Sequence, residues 1–276
     1  MLQDIMPKKL DNHYSSEIKP EKESIVFHFI GNELLVNENA DSLFPFYSLL
    51  NTEHTVYLFS IADVHYFLAR DKEINVPDGY SYRNIRSLRY SENVSQENFF
   101  ALFTAYHLSE WYRSNCYCGR CGQRTELYLA ERALRCTGCG KLIYPRLNPA
   151  VIVGVVNGEK LLITRYVKNR GVAYNALVAG FTEIGETLEE TVSREVMEEV
   201  GLKVKNIKYY KSQPWGFSGG ILAGFFCEVD GSDTLTVDKS ELSSAVWTER
   251  NDISGQPDDY SLTNEMMMCF KHSADI

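Results

Sequence analysis

Three glutamates, Glu195, Glu198 and Glu199, are crowded into one short stretch of this chain. Residues three and four apart are neighbours on a helix surface, so these carboxylates would lie on consecutive turns of one helix. Like charges that close destabilise an isolated helix unless a cation neutralises them. Carboxylate oxygens are natural ligands of Mg²⁺ and Mn²⁺, which also bind phosphates. The cluster predicts a metal-dependent enzyme acting on a phosphate or pyrophosphate; the alternative is an ordinary solvated helix face.

The flanking residues predict where this helix begins and ends. Thr187 and Glu190, three residues apart, form a capping box, and Gly201 stands where a left-handed C-terminal cap belongs. Between them the apolar positions fall on one arc at 100° per residue: Leu188, Val192, Val196 and Val200. Glu195 and Glu199 fall at the edge of this arc, whereas a plain surface helix would turn its glutamates outward.

A loop precedes the predicted helix. Gly180 and Gly185 bracket it and allow its backbone to approach a ligand closely. Arg194, eight residues after Glu186, is placed to tie this loop to the helix. Taken together, residues 180–202, GFTEIGETLEETVSREVMEEVGL, resemble a complete Nudix box with every fixed position filled.

Five of the seven cysteines lie within residues 116–139. Four of them form two Cys-x-x-Cys pairs separated by 14 residues, each pair followed by glycine: Cys118, Cys121, Cys136 and Cys139. In a reducing compartment this spacing predicts a closed, structural zinc site with four thiolates and one zinc per chain. A redox pair or unligated thiols are the alternatives, and Cys116 is the spare thiol.

Composition sets outer bounds on the function. The chain has 276 residues, 44% hydrophobic and 24% charged, with a formal net charge of −9. That charge argues against a general nucleic-acid coat, which needs a basic face, but it does not exclude binding of one nucleotide end. The sequence contains no apolar run of 18 residues and no apolar signal-peptide core near its start. We therefore expect a cytoplasmic protein with no membrane partner.

The pattern of apolar residues predicts an α+β chain. A polar, loosely held start over residues 1–22 is followed by short strands as far as about residue 68, then by a helix near 98–113. From residue 149 a strand, an Asn157-Gly158 turn and a second strand are predicted. The remaining elements are a strand at ALVAGF, the glutamate helix, strands near 205–212 and 221–229, and a helix over 262–271. A sheet flanked by two helices fits this half.

The order of parts resembles one Nudix branch, the NADH pyrophosphatase family, over roughly residues 80–276. Three signals carry the resemblance: the four-cysteine ribbon leading into Ile-Tyr-Pro-Arg at 143–146, the Nudix box, and Ser-Gln-Pro-Trp at 212–215. The resemblance implies a Nudix α/β/α sandwich preceded by a zinc ribbon and a β-rich N-terminal domain. The implied boundaries are 1–112 for the β-rich domain, 113–147 for the ribbon and 148–276 for the Nudix hydrolase domain.

The resemblance also implies an activity. The family hydrolyses the pyrophosphate of NADH to AMP and reduced nicotinamide mononucleotide, with NAD and other dinucleotides as slower substrates. Some members remove NAD from the 5′ end of RNA, and the family forms homodimers. The implied cofactors are catalytic Mg²⁺ or Mn²⁺ and the structural zinc.

Site residues follow from matching positions. The implied metal ligands are Glu195, Glu199, Glu241 and the carbonyl of Ala179, with Glu198 as a further ligand or the base. Glu186 and Arg194 complete the implied catalytic set. Phe181 matches a ring that stacks on nicotinamide. The other implied substrate contacts are Glu131, Tyr144, Thr263 and the stretch Gln213, Pro214, Trp215, Gly216, Phe217, Ser218, Gly219 and Gly220.

Several of these positions have plainer alternatives. Phe181, Trp215 and Phe217 would also suit a core, and Tyr144 would also suit packing of the ribbon. Arg86 either reaches a phosphate across a dimer or is simply solvated. The family continues its tryptophan as Pro-Phe-Pro, whereas glycines stand here at 216, 219 and 220, which predicts a looser loop and weaker preference for NADH.

Three rival functions remain open. Another Nudix substrate, such as ADP-ribose, diadenosine polyphosphate or a nucleoside triphosphate, would use the same glutamates. Removal of an NAD cap from RNA would use the same site, and a basic path leading away from it would favour RNA. A non-enzymatic nucleotide sensor usually loses box glutamates, and this chain keeps them all.

Overall fold

The computed structural model describes residues 1–40, 42–167 and 174–273. The chain divides into two compact units. The N-terminal unit comprises Leu2–Arg146 and Gly216–Ser218, and the C-terminal unit comprises Met1, Leu147–Trp215 and Gly219–Ile276. The three-domain division at residues 112 and 147 stays a prediction, and its last three residues lie outside the described part of the chain.

The N-terminal unit is rich in short strands. Its elements are β1 (Leu10–Asp11), β2 (Ile25–Phe27), β3 (Phe29–Ile30), β4 (Glu33–Val36), β5 (Thr55–Ile61), β6 (Val64–Ala69), β7 (Ser81–Asn84), α1 (Ile85–Leu88), α2 (Gln96–Ser114), β8 (Thr125–Tyr128), β9 (Ala133–Cys136) and β10 (Leu142–Ile143). The strands form sheets in the orders β1-β5-β6-β2, β3-β4-β7 and β10-β9-β8. The predicted strands and the predicted helix are confirmed.

The start of the chain is better held than its polar sequence predicts. Leu2 is buried, and β1 pairs with β5 through Leu10 opposite Ile61. The prediction of a loosely held segment over residues 1–22 is therefore wrong, because polar contacts such as that of Lys8 with Glu97 attach it in addition to the buried Leu2 and the β1–β5 pairing. Within the described residues, no helix has the length and apolar character to cross a membrane.

The C-terminal unit is built around one mixed sheet. Its elements are β11 (Asn148–Asn157), β12 (Lys160–Tyr166), β13 (Val178–Phe181), α3 (Leu188–Val200), β14 (Val204–Trp215), β15 (Gly220–Val229), β16 (Leu242–Glu249) and α4 (Leu262–His272). The strand order is β14-β15-β11-β12-β16, and β13 pairs with β11 beside this path. Strands β11 and β15 are parallel, and the other pairs are antiparallel.

The two faces of this sheet bury alternate residues of β11, as a period of two requires. Val151, Val153 and Val155 join the core cluster that contains the apolar face of α3. Ile152 joins the opposite cluster, which contains the buried residues of α4. The α/β/α sandwich expected from the sequence is confirmed.

One turn is displaced from its predicted position. Asn157 pairs with Lys160, so the two turn residues are Gly158 and Glu159, not Asn157 and Gly158. Gly158 has a φ of 59°, a left-handed conformation that glycine adopts without a steric cost, and it therefore takes the first turn position.

Candidate active site

Helix α3 begins and ends where local sequence predicts. The Thr187 side chain accepts from the Glu190 backbone N–H, and the Glu190 carboxylate accepts from the Thr187 backbone N–H at 2.7 Å. Gly201 closes the helix at a φ of 73°. Val192, Val196 and Val200 are fully buried against the sheet, so the helix has one fixed rotation.

Arg194 ties the loop before α3 to the helix, as predicted. Its guanidinium donates to both carboxylate oxygens of Glu186, at 2.5 and 2.9 Å. A further N–H donates to the backbone carbonyl of Phe181 at 2.9 Å. These bonds hold the pKa of Glu186 far down, at about 2, chiefly because Arg194 donates to the ionised form. The carboxylate of Glu186 is therefore a fixed anchor for the loop.

The same guanidinium reaches the glutamate cluster. Arg194 Nη1 donates to Glu195 at 2.7 Å and to Glu198 at 3.0 Å. The three glutamates differ in solvent contact: Glu198 has a side chain 60% exposed, Glu195 12%, and Glu199 is 2% exposed as a residue. Along the helix the three carboxylates are thus half-buried at Glu195, open at Glu198 and buried at Glu199.

The pKa of Glu195 is raised, chiefly because the carboxylate is partly buried. The negative charges of Glu198 and Glu241 raise it further, while Arg194 opposes them. Glu241 lies just before β16, far from α3 in sequence, yet it is near enough to act on Glu195. The structure therefore brings together the four carboxylates that the sequence singled out.

Gly180 leaves the space in which the Glu195 carboxylate lies. A Cβ atom built on Gly180 would stand 1.9 Å from the Glu195 Cδ and 2.0 and 2.3 Å from its two carboxylate oxygens. No side chain fits there, so the carboxylate is pressed against bare backbone of β13. Oxygen donors gathered around such a cradle fit a hard divalent cation, which prefers carboxylate and carbonyl oxygens.

Phe181 and Ala179, the two residues next to Gly180 in β13, were predicted to contact the nicotinamide and the metal. Phe181 is 53% exposed, so its ring is not a core residue and the packing alternative is excluded for it. Ala179 is half-buried opposite Ile152 in the β13–β11 pairing, next to Gly180. Metal binding by its carbonyl stays a prediction.

Gln213 has a structural task in this conformation. Its buried side chain donates to the carbonyl of Tyr260 at 2.6 Å and accepts from the N–H of Leu262 at 2.8 Å. It thereby fixes the start of α4, whose second residue is Thr263. Direct contact of Gln213 or Thr263 with a substrate stays a prediction, whereas Pro214, adjacent to Gln213, is exposed.

The glycines at positions 216, 219 and 220 have different surroundings. Gly216 lies against Phe103, where a Cβ atom would stand 2.4 Å from the carbonyl oxygen. Gly220 pairs with Trp215, which is half-buried, and with Asn148. Close approach explains Gly216, and Gly220 is held in strand pairing, while the expectation that these glycines loosen the loop stays a prediction. Ser218 is exposed, and Gly219 has a φ of 62°.

Phe217 packs within the N-terminal unit. Its ring lies 4.9 Å from that of Phe103, edge to face, and the Arg86 guanidinium stands 5.6 Å above it. These contacts support the packing alternative for Phe217 and give Arg86 a partner other than solvent. A substrate contact for Phe217 stays a prediction.

The four ribbon cysteines converge. Their sulfur atoms all lie within 4.8 Å of one another, with Cys118 and Cys139 at 3.8 Å and Cys121 and Cys136 at 3.3 Å. A tetrahedron with Zn–S bonds of about 2.3 Å has edges of about 3.8 Å, so the cluster fits zinc. The Cys139 backbone N–H donates to the Cys136 sulfur, which lowers the pKa of that thiol to about 6 and favours a thiolate.

The structure also locates the spare thiol, Cys116, and the two predicted substrate positions in the ribbon. Cys116 points away from the cluster and donates to the carbonyl of Arg113 at 3.3 Å, so it is the spare thiol. The Tyr144 hydroxyl donates to Glu131 at 2.9 Å. These two predicted substrate positions are therefore one hydrogen-bonded pair, and Tyr144 is itself exposed.

Two protein families match separate parts of the chain. Residues 113–144 match the NADH pyrophosphatase zinc ribbon domain, and residues 146–267 match the NUDIX domain. The chain therefore contains a Nudix domain and, before it, an NADH pyrophosphatase zinc ribbon domain. Its Nudix domain contains both the cradle at Gly180 and the carboxylate cluster.

Curated relatives share the region around the ribbon and the Nudix domain. Proteins named NAD-capped RNA hydrolase NudC from Enterobacter sp. (strain 638) and Shigella flexneri are each 41% identical over 146 residues. Each match spans 53% of this chain and 56% of the relative. Among solved structures, a NUDIX hydrolase from Nitrosomonas europaea is 21% identical with a TM-score of 0.42, covering 50% of this chain and 79% of that one.

Two contributors in the Nudix domain were missed by sequence reasoning. Thr191, buried in α3, donates its hydroxyl to Glu186 at 2.9 Å and so helps to hold the loop anchor. The Phe181 carbonyl accepts from Arg194, which fixes the backbone beside the cradle. A polar residue on the buried arc of α3 was the available signal for Thr191, whereas no sequence signal marks a backbone acceptor.

Proposed function

We propose that the protein hydrolyses the pyrophosphate bond of NADH and NAD, giving AMP and the nicotinamide mononucleotide. The observation that carries the proposal is the cradle at Gly180, where the Glu195 carboxylate of the glutamate cluster lies and next to which the ring of Phe181 is exposed. A pyrophosphate needs the cation that the cluster would hold. A nicotinamide ring beside it needs a flat partner.

The proposed metal set is Glu195, Glu199, Glu241 and the Ala179 carbonyl, holding Mg²⁺ or Mn²⁺. When bound, such ions neutralise phosphate charge and lower the pKa of a bound water. The chain's own contribution is position: Arg194 fixes Glu195 and Glu198 from one side, and Gly180 leaves room for the Glu195 carboxylate. Catalysis of phosphoryl transfer depends largely on the positioning of charged groups in this way.

Glu198 is our first choice for the general base and Glu241 our second. The Glu198 side chain is open to solvent, where a water can reach it, and Arg194 holds its carboxylate in place at 3.0 Å. Water then attacks one phosphorus, its proton passes to the carboxylate, and the bridging P–O bond breaks. The leaving phosphate keeps the bridging oxygen and its electron pair.

The zinc ribbon completes the proposal. We assign one structural zinc per chain to Cys118, Cys121, Cys136 and Cys139, and we place the protein in the cytoplasm, where reducing conditions keep these thiols available. We propose that Glu131, Tyr144, Thr263 and the segment 213–220 contact the substrate. A homodimer is proposed from the family resemblance.

Removal of an NAD cap from RNA is the second candidate function. Relatives 41% identical to this chain carry that activity in their names. The same pyrophosphate bond would be broken, so the metal cluster and the exposed Phe181 serve both reactions. ADP-ribose hydrolysis is the alternative within the same chemistry, since it lacks only the nicotinamide.

A substrate panel separates these candidates. The protein is incubated with Mg²⁺ or Mn²⁺ and, in turn, with NADH, NAD, ADP-ribose and an RNA carrying a 5′ NAD, and kcat/KM is measured for each. We expect NADH and NAD to be cleaved to AMP, and the capped RNA to be decapped. Faster cleavage of ADP-ribose than of both dinucleotides would contradict the proposed nicotinamide site.

A further inference from the structure

A cavity lies in the C-terminal unit at the end of the sheet away from the Gly180 cradle. Its volume is about 370 Å³, within the range of roughly 300–1,000 Å³ usual for small-molecule sites. Val156 and Phe226 provide apolar surface, and Lys205, Lys208 and Glu228 provide charge. Gly180 pairs with Val151, and Val156 lies five residues further along β11. At about 3.3 Å per residue this separates the cavity from the cradle by about 17 Å.

A β-bulge in the edge strand β14 places the two lysines. Side chains three residues apart in a regular strand point to opposite faces. Here Lys205 pairs with Glu228 and Lys208 with Phe226, two residues apart on β15, so one extra residue of β14 is accommodated between them. Because of this extra residue, the side chains of Lys205 and Lys208 point to the same face of the sheet. The bulge includes Asn206, whose φ of 53° is unusual for a residue other than glycine.

The two lysines that line the cavity differ in their ion pairs. Lys205 pairs with Asp230 at 3.3 Å, and the Glu228 carboxylate accepts from the Asn206 amide at 3.0 Å. Within residues 1–40, 42–167 and 174–273, no carboxylate lies at ion-pair distance from Lys208, which is exposed at the cavity rim. An ammonium group is thus left beside an anchored carboxylate and an apolar floor.

We propose that this cavity is a second binding site, for a nucleoside 5′-phosphate. The phosphate would pair with Lys208, supported by Lys205, and ribose hydroxyls would donate to Glu228. The base would lie on the half-buried side chain of Val156, behind which the buried ring of Phe226 closes the cavity. Gly154 allows the Phe226 ring to lie close over β11, since a Cβ there would stand 2.6 Å from it. The ligand has two possible sources, a free mononucleotide or a nucleotide within an RNA chain.

Calorimetric titration with AMP tests the site without any turnover. In buffer without divalent metal, we expect one AMP to bind per chain of the full-length protein. Lys208→Gln should weaken this binding about tenfold or more, the scale of one hydrogen bond to a charged group. Lys208→Arg, which keeps the charge, should stay within about threefold of the original protein.

Lys203→Gln is the matched control, because Lys203 is an exposed lysine just before β14 that does not line the cavity. It should leave AMP binding unchanged. The site is refuted if the original protein binds no AMP without metal, if Lys208→Gln binds it as well as the original, or if Lys203→Gln loses as much.

An uncapped RNA of five adenylates distinguishes the two sources. Tighter binding of this RNA than of AMP, lost in Lys208→Gln, assigns the cavity to a nucleotide within RNA. Binding of AMP alone assigns it to the free mononucleotide, and binding of neither overturns the site. Hydrolysis of NADH by Lys208→Gln should match the original protein, since the cavity lies apart from the cradle. Failure of NADH hydrolysis in both would contradict the proposed function and leave the binding result standing.

Discussion

At the scale of single residues, the site depends on Gly180 having no side chain. Glu195 lies where a Cβ on Gly180 would be, so the carboxylate cluster depends on a glycine as much as on the glutamates themselves. The sequence pattern predicted a close backbone approach at Gly180. It did not predict that the approaching group is a carboxylate of the same chain, because that contact joins β13 to α3 across the fold.

Gly180→Ala should therefore displace the Glu195 carboxylate. We expect kcat for NADH to fall about 10²-fold, the effect of a displacement of about 1 Å in a catalytic site. Gly119→Ala is the control, since a Cβ at Gly119 meets nothing within 4 Å. Steady-state kinetics and a circular dichroism spectrum check both variants, and an unchanged kcat in Gly180→Ala would show that the cradle has no catalytic role.

Phe181 offers a second test at this scale. Stacking of an aromatic ring on a base contributes roughly 1–3 kcal/mol. We expect Phe181→Ala to raise KM for NADH more than for ADP-ribose, which lacks nicotinamide. Because the side chain is exposed, the melting temperature should change little. Equal increases in KM on both substrates would mean that nicotinamide binds elsewhere.

At the scale of elements, α3 was predictable and the segment 213–220 was not. The capping box, Gly201 and the apolar arc are local signals, so the bounds and the rotation of α3 follow from the sequence. Gln213 and Gly216 are explained only by distant partners, Leu262 and Phe103. A local pattern cannot contain such partners, so the close approach of Gly216 to Phe103 was not predicted.

The link between the loop and α3 depends on Arg194. Lysine has no planar fork and cannot reproduce its bonds to Glu186, Glu195, Glu198 and the Phe181 carbonyl. We expect Arg194→Lys to lower the free energy of unfolding by about 2 kcal/mol and to reduce kcat. Urea denaturation of the original protein and the variant measures the first effect.

Arg113→Lys is the matched control for this variant. Within the described residues, Glu110, three residues away on α2, is the carboxylate that pairs with the Arg113 guanidinium, and the Arg113 side chain is 63% exposed. Its replacement should change the free energy of unfolding by no more than about 0.5 kcal/mol. If the two variants were equally stable, the interaction of Arg194 with the loop would contribute nothing.

At the scale of the whole molecule, the ribbon and the Nudix domain were recognisable because each has a fixed spacing of chemically demanding residues. The first 112 residues carry no such spacing. Their strands were predicted from local alternation, but the attachment of β1 to β5 and the burial of Leu2 depend on contacts that a single sequence does not display.

Zinc is expected to be essential for the N-terminal unit. Purified protein should contain about one zinc per chain, and Cys136→Ser should be metal-free or aggregated, since structural zinc contributes on the order of 10 kcal/mol to a small domain. Cys116→Ser should keep its zinc, because Cys116 lies outside the cluster. Metal analysis of both variants decides, and loss of zinc from Cys116→Ser but not from Cys118→Ser would reassign the ligands.

The central claim is metal-dependent hydrolysis of a pyrophosphate at the α3 glutamates. The most direct test is release of AMP from NADH with and without Mg²⁺, for the original protein and for Glu199→Gln, which keeps the shape and removes one charge. We expect AMP only with the metal, and a kcat at least ~10²-fold lower in a folded Glu199→Gln. Release of AMP without any divalent metal, or near-normal turnover in Glu199→Gln, would contradict the claim.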